Sequence, residues 1–286
     1  MADSRNNSPA SVRQRLLNLA REKGRVFDVV LVTYGLERLM YRLSISEHRD
    51  SFVLKGGMLV TLWIGDENRV TRDADFLGFG EASEERLISV FSEVLSQRID
   101  DGLVYDIGNL TARPIREEQQ YGGIRLRTVA NLGKTRIPIV VDVGFGDATV
   151  APDLTIEYPT LLDMPAPSIR AYPLASVVAE KFHAIVTLGL VNSRMKDYYD
   201  LWAILNSQSI EESELAEAIA ATFSRRETEV PSTVPAGLSN EFSDEPQKLQ
   251  QWRSYSASIG LEGLSLEKAI DLIWISLTPA CERLHR

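Results

Sequence analysis

The sequence has few of the residues on which several common classes of site depend. It contains one cysteine and three histidines in 286 residues. No internal disulfide bond can therefore form, and a zinc site built from cysteine and histidine has too few ligands. A Gly-x-Ser-x-Gly nucleophile elbow is absent, which excludes the usual serine-hydrolase arrangement. No uninterrupted apolar run approaches about 18 residues, so the sequence predicts no membrane-spanning segment.

The composition is typical of a soluble globular protein. Apolar residues make up 44% of the chain and charged residues 25%. The single cysteine, and a polar beginning without the apolar core of a signal peptide, predict a cytoplasmic protein. The formal charge of −9 argues against a protein that coats nucleic acid over its whole surface. Residues 1–50 nevertheless carry nine Lys and Arg against six Asp and Glu, which leaves room for a local basic face.

The pattern of apolar residues predicts an α+β protein in three parts. Residues 1–50 have the periodicity of two amphipathic helices. Residues 51–165 mix short helical segments with β-branched runs, and the run at 136–145 is typical of a central strand. Residues 166–286 are mainly helical in pattern. The sequence therefore predicts N-terminal helices packed on an α/β core, followed by a helical C-terminal lobe.

Two aspartates at alternate positions, Asp73 and Asp75, open one of the predicted strands. Side chains alternate along a strand, so the two carboxylates are expected on one face, where they repel each other unless a cation lies between them. A hard cation such as Mg²⁺ binds through one or two carboxylates and completes its shell with substrate phosphates. A pair of solvated acids at a strand end would give the same pattern.

Two further features indicate the same kind of site. Gly56 and Gly57 end a strand and begin a helix, and backbone N–H groups without a neighbouring Cβ suit a phosphate. Asp142 interrupts the apolar run at 139–143, where a charge is costly unless it is paired or binds a metal. Asp142 is therefore a candidate third carboxylate, with an acid at a hydrated strand end as the alternative.

Lys181 lies in the middle of the apolar stripe of a predicted helix at 174–188. Its ammonium group could extend out of a core into solvent, or it could point into a cleft and neutralise a triphosphate. Asp197 and Asp200 follow one turn apart on the next predicted helix. Ordinary ion pairs on a helix surface would explain these two acids without any function.

Taken in order, these segments resemble the AbiEii-type nucleotidyltransferase toxins of abortive-infection and type IV toxin–antitoxin systems, which are related to the polymerase-β-like superfamily. The resemblance covers about residues 50–205 and rests on five segments: 52–57, 71–76, 142–147, 179–184 and 194–201. The chain departs from the usual pattern in two ways. Fifteen residues separate the glycine pair from Asp73, and that pair is Gly-Gly where many members have Gly-Ser.

The resemblance implies a polymerase-β-like mixed sheet with flanking helices. It also implies an enzyme that moves a nucleoside monophosphate from an NTP to an acceptor and releases pyrophosphate. Asp73, Asp75 and Asp142 would hold two Mg²⁺ ions, and the glycine pair would bind the NTP phosphates. Lys181 would also contact these phosphates and offset developing charge, and Asp197 would orient Lys181 or the acceptor.

The resemblance further implies a cognate antitoxin and an RNA acceptor such as the 3′ end of tRNA, whose modification inhibits translation. Transfer of a nucleotidyl or phosphoryl group to a protein hydroxyl is an alternative. A non-catalytic nucleotide-binding module is a third, although several costly charges at one site argue against it. Thr71, two residues before Asp73, suggests regulation: a phosphate on its hydroxyl would repel the NTP, unless Thr71 only caps a turn.

Overall fold

The computed structural model describes residues 7–66, 69–115, 123–146 and 154–285. The described residues divide into two compact units. Unit 1 comprises residues 7–59, 70–115, 123–146 and 154–171, and unit 2 comprises residues 60–66, 69 and 172–285. The chain therefore contributes a short segment to unit 2 before it completes unit 1.

Unit 1 is built on an eight-stranded mixed sheet. Its strands are β1 (Phe52–Lys55), β2 (Ala74–Gly78), β3 (Leu103–Tyr105), β4 (Thr111–Ile115), β5 (Gly123–Leu132), β6 (Thr135–Phe145), β7 (Leu154–Glu157) and β8 (Ser168–Ala171). The order across the sheet is β3-β5-β6-β2-β1-β8-β7, and β4 pairs with β5. The β2–β6 and β1–β8 pairs are parallel, and the other described pairs are antiparallel.

Strand β6 confirms the strand predicted at 136–145 and shows why its sequence alternates. Ile137, Ile139 and Val141 are buried, whereas the residues between them are half-buried or exposed. Strand β5 alternates in the same way along its ten residues. A sheet with one covered and one open face requires this period of two, because successive side chains point to opposite faces.

Helices cover the apolar face of this sheet. They are α1 (Pro9–Glu22), α2 (Phe27–Ser44) and α4 (Glu84–Ser96), and α3 (Gly56–Ile64) begins directly after β1. Helix α2 approaches the sheet closely at Gly35, where a Cβ would lie 2.6 Å from the side chain of Ile139. Side chains of α2, α4, β5 and β6 line one small apolar gap on this face. The helices therefore leave the opposite face of β5 and β6 available for polar residues.

Unit 2 is helical, as the sequence predicts. It contains the end of α3 and the helices α5 (Leu174–Leu188), α6 (Met195–Ser207), α7 (Glu212–Arg225), α8 (Asn240–Asp244), α9 (Pro246–Ser258) and α10 (Leu266–Arg283). Helix α5 packs on α7, and α10 packs on α6 and α7. Phe182 and Phe223 meet in this core with ring centroids 5.4 Å apart. The predicted α+β class, with a mixed sheet and flanking helices, is confirmed.

One segment of unit 2 is long and apolar enough to cross a membrane by length and composition alone. Leu174–Val191 has a mean hydropathy of 1.6 over 18 residues, and half of it is buried inside the protein. Packing of α5 against α7 accounts for this apolarity. Core helices of soluble proteins pass the same test, so the segment is weak evidence for a membrane span.

Candidate active site

Three carboxylates come together in unit 1. Asp75 on β2 and Asp142 on β6 are register partners in the parallel pair of strands. Asp73 lies just before β2, which begins at Ala74. One carboxylate oxygen from each aspartate lies within 4.8 Å of the other two. The structure therefore brings together all three predicted metal ligands.

The environment of this carboxylate cluster favours a bound cation. Burial raises the pKa of Asp75, the nearby Asp73 and Asp142 raise it further, and the Gly57 amide and Lys55 lower it. Carboxylates packed this closely repel one another unless a positive charge lies among them. Three acidic oxygen donors within reach of one point are also the ligand type that Mg²⁺ prefers. The residues present therefore fit a divalent metal ion.

Asp142 has a cationic partner that the sequence motifs did not indicate. Arg125 on β5 is the register partner of Asp142 in the antiparallel pair. Its Nε donates to Oδ1 of Asp142 at 2.7 Å and its Nη2 donates to Oδ2 at 2.6 Å. The charge of Asp142 within an apolar strand is thus paired. This pairing offsets the cost of burying a charge there. Asp147, the last residue of the same motif, lies outside the described residues.

The glycine pair holds Asp75 in place. Gly56 has a φ of +63°, and a Cβ at this position would collide with the Asp75 carboxylate. Gly57 donates its backbone N–H to Oδ2 of Asp75 at 3.1 Å. Only glycine combines this backbone conformation with such a close approach. The start of α3 therefore positions a carboxylate, and its predicted contact with NTP phosphates stays a prediction.

Thr71 lies beside the carboxylate cluster. Its Oγ1 donates to Oδ1 of Asp73 at 2.7 Å. Thr71 precedes β2 by three residues, so it reaches Asp73 from the loop before the strand. Its hydroxyl therefore fixes the orientation of the first carboxylate of the cluster.

A second charged cluster, in unit 2, contains Lys181. The Lys181 Nζ lies 2.6 Å from Oδ1 of Asp197 and 2.8 Å from Oδ2 of Asp200. Its side chain is only 12% exposed, so the ammonium group does not extend into solvent. Burial lowers the pKa of Lys181, but Asp197 and Asp200 outweigh that effect and raise the pKa above its ordinary value. Lys181 is therefore a fixed cation, and its pairing with Asp197 is observed.

Arg69 completes the unit 2 cluster. Its Nε donates to Oδ1 of Asp200 at 2.8 Å and its Nη2 donates to Oδ2 at 2.6 Å. Burial by itself raises the pKa of Asp200, but Lys181 and Arg69 outweigh burial and lower this pKa to about 2. Asp200 is a buried acid held by two cations, so the interpretation as a helix-surface ion pair is wrong. No pattern in the sequence indicates Arg69, which lies 131 residues before Asp200.

Asp197 is shared between two cations. Besides its contact with Lys181, its Oδ2 lies 2.7 Å from Nε of Arg194, which is half exposed. Asp197 itself is buried. The cluster therefore fixes both oxygens of Asp197, and the position of Lys181 follows from Asp197 and Asp200 together.

Comparison with known proteins adds one family and two distant structures. The model of a family described as "Nucleotidyl transferase AbiEii toxin, Type IV TA system" matches residues 38–273, a range that includes both charged clusters. A candidate nucleotidyltransferase from H. pylori is 14% identical over 88% of this chain and 94% of its own, with a TM-score of 0.48. JHP933 from Helicobacter pylori is 14% identical over 89% and 93%, with a TM-score of 0.48. No curated protein matches the chain significantly.

Proposed function

Because this chain belongs to the AbiEii family of nucleotidyltransferase toxins from type IV toxin–antitoxin systems, we propose that it transfers a nucleoside monophosphate from an NTP to RNA. The enzyme class and the existence of an antitoxin partner follow from the family. The acceptor, the metal dependence and the inhibition of translation are the proposal. The observation that carries it is the cluster of Asp73, Asp75 and Asp142, whose oxygens lie within 4.8 Å of one another.

The three carboxylates would hold Mg²⁺, with two ions as the proposed number. Mg²⁺, when bound, neutralises the NTP phosphates and makes the acceptor hydroxyl a better nucleophile. The protein contributes fixed ligands. The Gly57 amide orients Asp75, Arg125 orients Asp142, and Thr71 orients Asp73. The start of α3 is proposed to contact the NTP phosphates as well, through the amides at Gly56 and Gly57.

Lys181 is the proposed cation that offsets the negative charge on the departing pyrophosphate. A cation suits this role when its environment keeps it protonated and immobile, because no reorganisation is then needed during the reaction. The raised pKa of Lys181 and its contacts with Asp197 and Asp200 meet both conditions. Asp197 is a positioning residue in this scheme, since it acts through Lys181.

The proposed acceptor is RNA, with the 3′ end of tRNA as the specific candidate, and the proposed location is the cytoplasm. Modification of a tRNA 3′ end would prevent aminoacylation and so stop translation, which agrees with membership of a toxin family. Transfer to a protein hydroxyl is the second candidate, because the same carboxylate cluster could serve either acceptor.

The experiment is incubation of the purified protein with Mg²⁺, NTPs labelled at the α-phosphate, and either total RNA or lysate protein. Label on RNA is expected. A parallel reaction with label at the γ-phosphate separates the two reactions: nucleotidyl transfer leaves the acceptor unlabelled and puts the label in pyrophosphate, whereas phosphoryl transfer labels the acceptor. Label that appears on protein alone would overturn the proposal that RNA is the acceptor. Activity in excess EDTA would overturn the proposed dependence on a metal ion.

Thr71 is also a proposed regulatory site. A phosphate there would add nearly two negative charges next to Asp73, to which the hydroxyl donates. The Thr71→Glu protein should then be inactive, while Thr71→Val should transfer nucleotides. An active Thr71→Glu protein would remove this proposal and would leave the reaction itself unaffected.

A further inference from the structure

The open face of the unit 1 sheet carries a row of charged residues across five strands. Lys55 on β1 pairs in register with Asp75 on β2, and Asp75 pairs with Asp142 on β6. Asp142 pairs with Arg125 on β5, and Arg125 pairs with Arg113 on β4. Side chains of register partners point to the same face of a sheet. The candidate metal site is therefore followed, in the direction of β4, by arginines.

A third arginine extends this basic part of the face. Arg127 lies two residues after Arg125 on β5, so it points to the same side, about 7 Å farther along the strand. Arg127 is exposed, Arg113 is 80% exposed and Arg125 is 35% exposed. Arg113 also lies 3.5 Å from Glu84, a surface ion pair of small energetic weight. We call Arg113, Arg125 and Arg127 the arginine row.

The helices pack mainly on the other face of the sheet, although Arg113 reaches Glu84 at the start of α4. Leu126, between Arg125 and Arg127, is buried against the small apolar gap below α2 and α4, whereas Arg127 also borders this gap but is exposed. On β6, the register partner of Arg125 is Asp142 and that of Arg127 is the half-buried Val140. A strand face with this composition is accessible to a ligand that lies along the sheet.

The carboxylates separate two different environments. On the β1 side, the start of α3 brings the Gly57 amide to Asp75. On the β5 side, Asp142 meets Arg125 and then the rest of the arginine row. A triphosphate is compact and suits the helix N-terminus. Cations spread over two strands suit an extended molecule with a phosphate at each repeat, because the guanidinium groups of Arg113 and Arg127 can each bind a separate phosphate while Arg125 holds Asp142.

We propose that the arginine row binds the sugar–phosphate backbone of the RNA acceptor and delivers its 3′ end to Asp142. This inference rests on the proposed function, since it assigns the second substrate of the same site. Contacts to phosphates position a nucleic acid without reading its sequence. In a chain with a net charge of −9, this row is a local site for a polyanion. A peptide acceptor offers no series of phosphates that would require it.

The test is direct binding of a fluorescently labelled, single-stranded oligoribonucleotide with a free 3′ hydroxyl, measured by anisotropy over a series of salt concentrations. The test variant is Arg113→Ala/Arg127→Ala, which leaves the Arg125–Asp142 pair intact. The matched control is Arg21→Ala/Arg98→Ala, which removes the same charge from exposed arginines at the end of α1 and after α4. Circular dichroism and the thermal midpoint verify that each variant is folded.

The arginine-row variant should lose two phosphate contacts. The slope of log K against log salt should become less steep by about 1.4, and affinity at about 0.1 M salt should fall about 25-fold. The affinity of the control variant should stay within about two-fold of that of the original protein, because the proposal gives Arg21 and Arg98 no phosphate contacts. Arg113→Lys/Arg127→Lys retains the charge and should restore most of the slope. The affinity for Mg²⁺-NTP, measured separately, reports on the carboxylate side of the site.

Each result bears on the proposal in a defined way. An arginine-row variant that matches the control in affinity and slope overturns it, even if the original protein labels RNA and the proposed function stands. An original protein that does not bind the oligoribonucleotide also overturns it. If that protein in addition labels only lysate protein, the RNA acceptor fails as well. A selective loss of affinity and slope, restored by lysine, supports the arginine row as the acceptor site.

Discussion

The two charged clusters differ in how completely cations of the chain offset their acids. Among the described residues, the unit 1 cluster has three carboxylates with Arg125 bound to one of them. The unit 2 cluster has two buried carboxylates, Asp197 and Asp200, and they are held by Lys181, Arg69 and Arg194. Arg125 and Lys55 offset only part of the acidic charge in the first cluster, which is therefore incomplete, whereas the second cluster is complete.

The pKa values of two aspartates follow this difference. Burial raises the pKa of Asp75, and the neighbouring acids Asp73 and Asp142 raise it further. Burial acts in the same direction on Asp200, but Lys181 and Arg69 lower its pKa to about 2. Burial alone therefore does not identify a functional acid. The balance of neighbouring charges separates a ligand site from a structural ion pair.

The largest expected effect tests the incomplete cluster. Asp75→Asn should reduce nucleotidyl transfer by at least about 1,000-fold, because a proposed metal ligand is lost. The thermal midpoint should stay the same or rise, since repulsion from Asp73 and Asp142 is relieved. Transfer of labelled NMP and differential scanning fluorimetry measure the two quantities. A folded Asp75→Asn protein with normal activity, or an unfolded one, would contradict this account of unit 1.

The same substitution in the complete cluster should have the opposite effect on stability. Asp200→Asn leaves Arg69 and Lys181 with less counter-charge in a buried environment, and breaking such a pair costs about 3–5 kcal/mol. Urea unfolding gives the free energy. The matched variant Asp200→Asn/Arg69→Met should recover much of the loss. If Asp200→Asn is as stable as Asp75→Asn, the contrast between the clusters does not hold.

Lys181 tests whether the complete cluster also serves the reaction. Lys181→Ala should lower the rate by about 100-fold, the scale of one fixed charge-stabilising group. The apolar stripe around Lys181 suggests that Lys181→Met would fold well, but the contacts with Asp197 and Asp200 now predict a loss of stability. Lys181→Arg keeps the charge and is the control. If the rate of the Lys181→Ala protein, corrected for its folded fraction, equals that of the original protein, the role of Lys181 is purely structural.

The smallest effect concerns acid stability in unit 2. Burial, with a contribution from Arg226, lowers the pKa of His183 to about 4. A group with a lowered folded pKa is neutral in the folded chain at pH values where the unfolded chain already binds a proton. Neutral His183 therefore makes its full contribution to stability above about pH 6.5, and this contribution is lost as the pH falls toward 4. The free energy of unfolding should fall by about 2 kcal/mol between pH 7 and pH 5. His183→Asn should flatten this slope in urea unfolding.

The local sequence pattern predicts the helices and strands. It does not predict which distant segments of the chain pair with one another. The alternation along β6 and the apolar stripe of α5 indicate a strand and a helix because period and burial are local properties. Asp73, Asp75 and Asp142 stand out because acids are unusual beside apolar strands. Arg125 and Arg69 do not stand out in the sequence, because only strand register and tertiary folding reveal their acidic partners. Gly56 stands out as a glycine, but its contact with Asp75 appears only in three dimensions.

The hydrogen bonds that orient the three carboxylates have a thermodynamic consequence. Thr71 holds Asp73, Gly57 holds Asp75 and Arg125 holds Asp142. The rotamer entropy of these side chains is therefore lost when unit 1 folds and not when a ligand arrives, a difference of about 0.5–1.5 kcal/mol for each side chain. The proposed cation would thus meet a preorganised shell, and desolvation and charge would determine its affinity more than ordering would. Thr71→Val should consequently weaken cation binding mainly through a less favourable entropy, which calorimetry resolves.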